Sequence, residues 1–159
     1  MKTALALCES LEKQDLAFIL AGKLDCQDAK ELSQKENVQY IGEVSNSEAL
    51  ASYLVSDFVF TYYDPINEIN RFAASNKWGD AIKTETGVIV NSEVVTAKYL
   101  AVSNISISSE YGNVKDLSES ISELISDLSR VRLIKENSKS VANKFHYFED
   151  QLKKLIYET

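Results

Sequence analysis

Apolar residues in this chain follow two rhythms, short unbroken runs and stripes at helical spacing, and the two alternate. Residues 5–13 read as a short amphipathic helix. Leu16-Ala17-Phe18-Ile19-Leu20-Ala21-Gly22 is an apolar run ending in Gly, the pattern of a parallel strand buried on both faces. Residues 29–34 are weakly helical, 37–42 form a second strand, and 47–55 form a helix that Ser47 or Ser45 would cap. A third strand covers 57–63. After a loop through Pro65 come a helix over 76–83, a fourth strand over 87–90 and a fifth over 101–107. Leu117, Ile121, Leu124, Ile125 and Leu128 mark an amphipathic helix over 116–128, and Phe145, Phe148, Leu152, Leu155 and Ile156 form a last apolar stripe. Strands separated by helices predict an α/β domain with a parallel sheet. Ligands of such sheets sit outside the carboxyl ends of the strands.

Length and charge narrow the possibilities. At 159 residues the chain has room for a single domain and one core. Hydrophobic residues make up 45% and Pro occurs once, so a packed core is within reach and disorder is excluded as the overall state. A net charge of −7 opposes nucleic acid and anionic membrane as general partners, so any phosphate site must be a local positive patch. Cys8 and Cys26 lack metal-ligand spacing and read as buried free thiols rather than a disulfide framework. Lys2 followed by the apolar 3–8 imitates a signal peptide, but Glu9 and Glu12 end the run too early. No run is long enough to span a bilayer. His146 is the lone histidine and reads as a surface or packing residue, with no Ser-His-Asp set or zinc cluster to join. Ser103 to Ser109 reads as a strand with a polar face. The whole fits a cytoplasmic domain.

The stretch Asn70-Arg71-Phe72-Ala73-Ala74-Ser75-Asn76-Lys77-Trp78-Gly79-Asp80 carries the chemistry. It follows a strand and opens a helix with a cap, a cation and a carboxylate. Ser75 can cap the free amides of the first turn, and those amides, at the positive end of the helix dipole, suit a phosphate. Lys77 adds a mobile charge, and Asp80, one turn on, can accept hydrogen bonds from ribose hydroxyls. The same residues also make an ordinary capped helix, with Lys77 solvated and Asp80 favouring the dipole.

In their order and spacing, Leu16 to Gly22, Asn37 to Val44, Ser56 to Phe60, and Ser75-Asn76-Lys77 through Val88-Ile89 resemble the donor-binding, C-terminal half of GT-B glycosyltransferases of the group 1 family. The resemblance covers about residues 5–128. It implies a Rossmann-like parallel sheet flanked by helices, one half of a GT-B fold. It also implies a donor such as a UDP- or GDP-sugar, transfer to a polysaccharide or lipid-linked glycan, and no metal or other cofactor. By this resemblance Ser75, Asn76 and Lys77 contact the diphosphate and Asp80 the ribose. Gly42, Glu43 and Val44 wall the base, near Gly22 at the end of the first strand. Asn70 and Arg71 approach the sugar or diphosphate, Lys77 and Arg71 being the residues expected to act in catalysis. The resemblance leans toward retention at the anomeric carbon, and implies a full-length enzyme peripheral to a membrane.

Several positions depart from the family pattern. Where many members carry a first glutamate this chain has Phe72, and their Gly and Pro after the helix fall on Glu85 and Gly87. The acceptor-binding N-terminal half is missing, as is the strand that in the family precedes the first helix. That vacancy is expected to close by direct pairing of 16–22 with 57–63, by recruitment of 1–7 as a strand, or by self-association. A non-catalytic α/β interaction subunit, or a GT-B epimerase, fits the same helix start.

Overall fold

The computed structural model describes residues 1–144, 153 and 155–157. Its elements are α1 (Lys2–Ser10), β1 (Phe18–Leu20), α2 (Gln27–Leu32), β2 (Val38–Tyr40), α3 (Asn46–Leu54), β3 (Phe58–Thr61), α4 (Glu68–Phe72) and α5 (Asn76–Lys83). There follow β4 (Gly87–Asn91), a 3-10 turn (Val95–Ala97), α6 (Lys98–Val102), β5 (Ser106–Ser109), α7 (Val114–Ser126) and α8 (Leu128–Ala142). Every strand pairing is parallel: β1 with β2 in one ladder, and β4 between β3 and β5 in another. This is the Rossmann-like α/β architecture expected from the alternation.

All five residues of β4 are buried, which accounts for the apolar run over 87–90 that the polar Asn91 ends. Val88 and Val90 face a cluster completed by Trp78, Ala81 and Ile82 of α5 with Leu100 and Ile105. Ile89, one step along, faces the opposite cluster with Leu7, Leu11, Leu117 and Ile121. Period-two alternation thus feeds two helical layers at once. The buried residues of α5 sit at i, i+3 and i+4, one face of a helical turn. Trp78 is fully buried yet loses no hydrogen bond: its Nε1 donates to Thr61 Oγ1 (3.0 Å), and that hydroxyl donates to Ile89 O (3.0 Å).

Three segments differ from the sequence reading. α4, capped by the Asn67 side chain on Ile69 N, lies inside the region read as a loop. Residues 101 and 102 end α6 rather than begin a strand, because Leu100 is drawn into the core and the chain turns at Asn104 (φ 52°) before β5 starts at Ser106. Leu128 is not the last apolar position of α7. It opens α8 behind the Asp127 cap and is exposed. Of the terminal stripe, Phe145, Phe148 and Leu152 lie outside the described residues, as does His146, while Leu155 and Ile156 are exposed.

Neither intramolecular closure of the sheet occurs. Residues 2–10 are helical because α1 and its C-cap supply Leu7 and Leu11 to the core against α7. β1 and β3 belong to separate ladders, with no backbone hydrogen bond between them among the described residues.

The departures at Glu85 and Gly87 have a structural account. Gly87 N donates to Asp57 O (3.0 Å), a bond proline could not make, and a Cβ there would lie 2.6 Å from the Phe58 ring. Glu85 takes the left-handed conformation (φ 57°) that a glycine adopts without cost. Glu85→Gly is therefore expected to stabilise the fold by about 1 kcal/mol, roughly 2–4 °C in melting midpoint. Its exposed 3.6 Å ion pair with Lys139 offsets little of this. An unchanged or lowered midpoint would show that the turn does not carry that strain.

Candidate functional site

The site grows from the turn between β3 and α5. Ser75 stands in extended conformation as the N-cap of α5, its Oγ accepting from Lys77 N (3.3 Å). The hydroxyls of Tyr63 and Ser75 are 2.7 Å apart, so a residue just beyond the end of β3 holds the cap in place. Tyr63 is itself fixed through its backbone N, which donates to Oδ1 of the buried Asn91 (2.9 Å). Asn70 closes the loop from the other side by donating from Nδ2 to Asp64 O (2.8 Å).

Tyr63, Asn70, Ala73, Ala74, Ser75, Asn76 and Lys77 line a cleft of about 320 Å³. Its floor is the start of a helix, where free amides and the dipole favour an anion by roughly 0.3–1 kcal/mol per charge. Asn76 and Lys77 are exposed, and Lys77 has no ion-pair partner among the described residues. Arg71 is exposed at the end of α4, its guanidinium 5.8 Å from the centre of the Phe72 ring. Lys77 thus stands as an exposed cation in the lining of the cleft on an otherwise acidic chain, whereas Arg71 is not part of that lining.

The remaining predicted residues fall elsewhere. Asp80 lies a turn inside α5, half-buried and outside the cleft lining, where its backbone carbonyl takes Thr84 N and Thr84 Oγ1 (both 3.0 Å). Burial first and the Asp80 charge second push the Tyr53 phenol up. Gly22 and Gly42 meet at the carboxyl ends of β1 and β2, Gly22 N donating to Gly42 O (2.8 Å), both in the left-handed region that favours glycine. Glu43 pairs with Lys23 at 3.8 Å on the surface, and Val44 is half-buried ahead of the Ser45 cap of α3. No hydrogen bond or ion pair joins this second group to the α5 cleft among the described residues.

Sequence reasoning missed the supports of the cleft. Asn91 Oδ1 serves Tyr63, and its Nδ2 donates to Glu93 Oε2 (2.9 Å). Glu93 Oε1 in turn accepts from Tyr111 N (2.9 Å), so the loops after β3, β4 and β5 are tied together. Burial pushes the Glu93 carboxyl up. The hydrogen bonds from Asn91, Tyr111 N and its own amide, with the Arg71 charge, outweigh that and leave it below the usual range. A polar residue at the carboxyl end of an apolar strand, as Asn91 is, was the available signal. Cys8 is buried with its thiol on Asn37 Oδ1 (3.0 Å), whereas Cys26 is half-buried; both are free. Among the described residues no group of three or more His, Cys, Asp or Glu side chains is placed to hold a metal, and no helix is long and apolar enough to cross a membrane.

No family model matches the chain, and no curated protein matches it in sequence. Solved structures do. One is the crystal structure of WaaG, a glycosyltransferase involved in lipopolysaccharide biosynthesis, which superposes with a TM-score of 0.69 at 16% identity. The match covers 99% of this chain and 42% of that one, so the chain spans less than half of its neighbour's length. At this identity the likeness establishes the fold, a Rossmann-like half of the GT-B glycosyltransferase architecture.

Proposed function

We propose that this chain is the donor-binding half of a cytoplasmic glycosyltransferase, taking a UDP- or GDP-sugar at the start of α5 and passing the sugar to an acceptor, such as a polysaccharide or lipid-linked glycan, held by a second half. The observation that carries this is the cleft over the capped helix start, with Asn70 and Lys77 on its walls at the carboxyl edge of the sheet. Ser75, Asn76 and Lys77 receive the diphosphate, Asp80 reaches the ribose, and the loop from Gly42 to Val44, with Gly22, borders the base. Lys77 and Arg71 act when the diphosphate departs. Charge builds on that leaving group in the transition state, so fixed cations and helix amides help most at that moment.

A ligand selective for the native state raises the melting midpoint. Nucleotide at ten times its Kd adds about 1.4 kcal/mol, roughly 3–6 °C for a chain of this size. UDP or GDP is expected to give that shift in a thermal melt of the folded chain. If neither moves the midpoint at millimolar concentration, the donor-site reading fails.

A further inference from the structure

Tyr63 lines the cleft, and its place there is held from two sides. It packs against the cluster that includes Val59, Trp78 and Val90. Its backbone N donates to Oδ1 of Asn91, whose side chain is fully buried. Asn91 Nδ2 donates to Glu93 Oε2, so the amide cannot turn over without setting its oxygen against a carboxylate and its nitrogen against the Tyr63 N–H. Glu93 is anchored in turn by Tyr111 N. The phenol therefore meets Ser75 Oγ, at 2.7 Å, from a fixed backbone.

A serine hydroxyl has one proton and two lone pairs. Ser75 Oγ takes the Lys77 N–H (3.3 Å) on one lone pair. A phenol is more acidic than an alcohol and is the better donor, so the Tyr63 O–H occupies the other. With both lone pairs filled, the Ser75 proton is confined to the one direction that remains, and no acceptor meets it among the described residues. Asn76 N, the first amide of α5, is likewise without a hydrogen bond among them. We propose that Tyr63 is a positioning residue for the diphosphate: its phenol fixes the Ser75 hydroxyl as a preset donor to a phosphoryl oxygen over the start of α5. This rests on the donor-site reading and adds the residue that orients its cap. A phosphoryl oxygen accepts and returns no proton, which matches a cap where the Ser75 O–H, the Asn76 N–H and the Lys77 ammonium all donate. A donor set in place before the ligand arrives need not be ordered when it binds. Phenylalanine at 63 would keep the packing and leave the Ser75 proton to swing between the two directions that the Lys77 N–H leaves open.

Tyr63→Phe, Ser75→Ala and the double variant, each made in the full chain and titrated with UDP and with GDP, test this. Tyr63→Phe is expected to weaken the binding of either nucleotide about tenfold, with a melting midpoint close to wild type because the ring packing is kept. In the Ser75→Ala background the same change should cost nothing further, since the hydroxyl it orients is gone. The phosphorus resonances of UDP at saturation should move in Tyr63→Phe and Ser75→Ala alike, while the proton resonances of its base stay in place. A phenol that only supported the fold would lower the midpoint and leave the phosphorus resonances where they are. Wild-type affinity in Tyr63→Phe, a further loss in the Ser75→Ala background, or unmoved phosphorus resonances would overturn the proposal and leave the donor-site reading standing. Absence of nucleotide binding by the wild-type chain would overturn both.

Discussion

Replacing Lys77 by Ala, in the enzyme complete with its acceptor half, is expected to lower turnover about a hundredfold with only a modest loss of donor affinity. Lys77 stands exposed beside the Ser75 cap, where its ammonium can follow the diphosphate as negative charge builds during departure. An interaction stronger in the transition state than in the ground state appears in kcat rather than in binding. Asp80→Ala should behave differently. A ribose contact does not change between ground and transition states, so its loss weakens donor binding and leaves turnover of the bound donor nearly intact. Steady-state kinetics with donor varied, alongside equilibrium binding, separates the two. Equal and small effects would return Lys77 to surface charge and Asp80 to a partner of the helix dipole and of Tyr53.

Trp78→Ala should unfold the protein, or nearly so. Its indole is fully buried at the centre of the cluster between α5, β3 and β4, and truncating a large core aromatic costs about 3–5 kcal/mol. Native domains hold only about 5–15 kcal/mol in reserve. The Thr61 hydroxyl would also lose the donor it now receives. Trp78→Phe keeps most of the volume and removes chiefly that hydrogen bond, a cost nearer about 1 kcal/mol. Denaturant melts of the two variants give the comparison. A Trp78→Ala midpoint close to wild type would mean that α5 is not pinned by this residue, and that the site it carries is held some other way.

What the sequence made legible follows from how local its cause is. α5 runs over the residues expected, because a serine cap and a turn of apolar spacing lie within one short stretch, whereas the left-handed turn at Glu85 carries no signal in a glutamate. β4 was equally plain, since burial on both faces leaves an unbroken apolar run. α4 was hidden by its length, for five residues show too little of a period to read. The Leu100-Ala101-Val102 run suits helix or strand alike, and only packing of Leu100 decides between them. Ser106–Ser109 pairs as a strand because β4 offers it a partner. The cleft was legible from Ser75, Asn76 and Lys77, whose relation is one helical turn. Its supports were not, because the contact of Tyr63 with Ser75 and that of Asn91 with Tyr63 join residues 12 and 28 positions apart. The division of the sheet into two ladders likewise depends on pairing that no local pattern encodes.

The central claim is that a nucleoside diphosphate binds over the start of α5, and amide chemical-shift mapping with UDP and GDP tests it most directly. The expected result is saturable shifts concentrated at Asn70 and at Asn76, Lys77 and Trp78, lost in Ser75→Ala combined with Lys77→Ala, with the rest of the spectrum intact. Saturable shifts centred away from these residues, or none at millimolar nucleotide in a folded sample, would contradict the account.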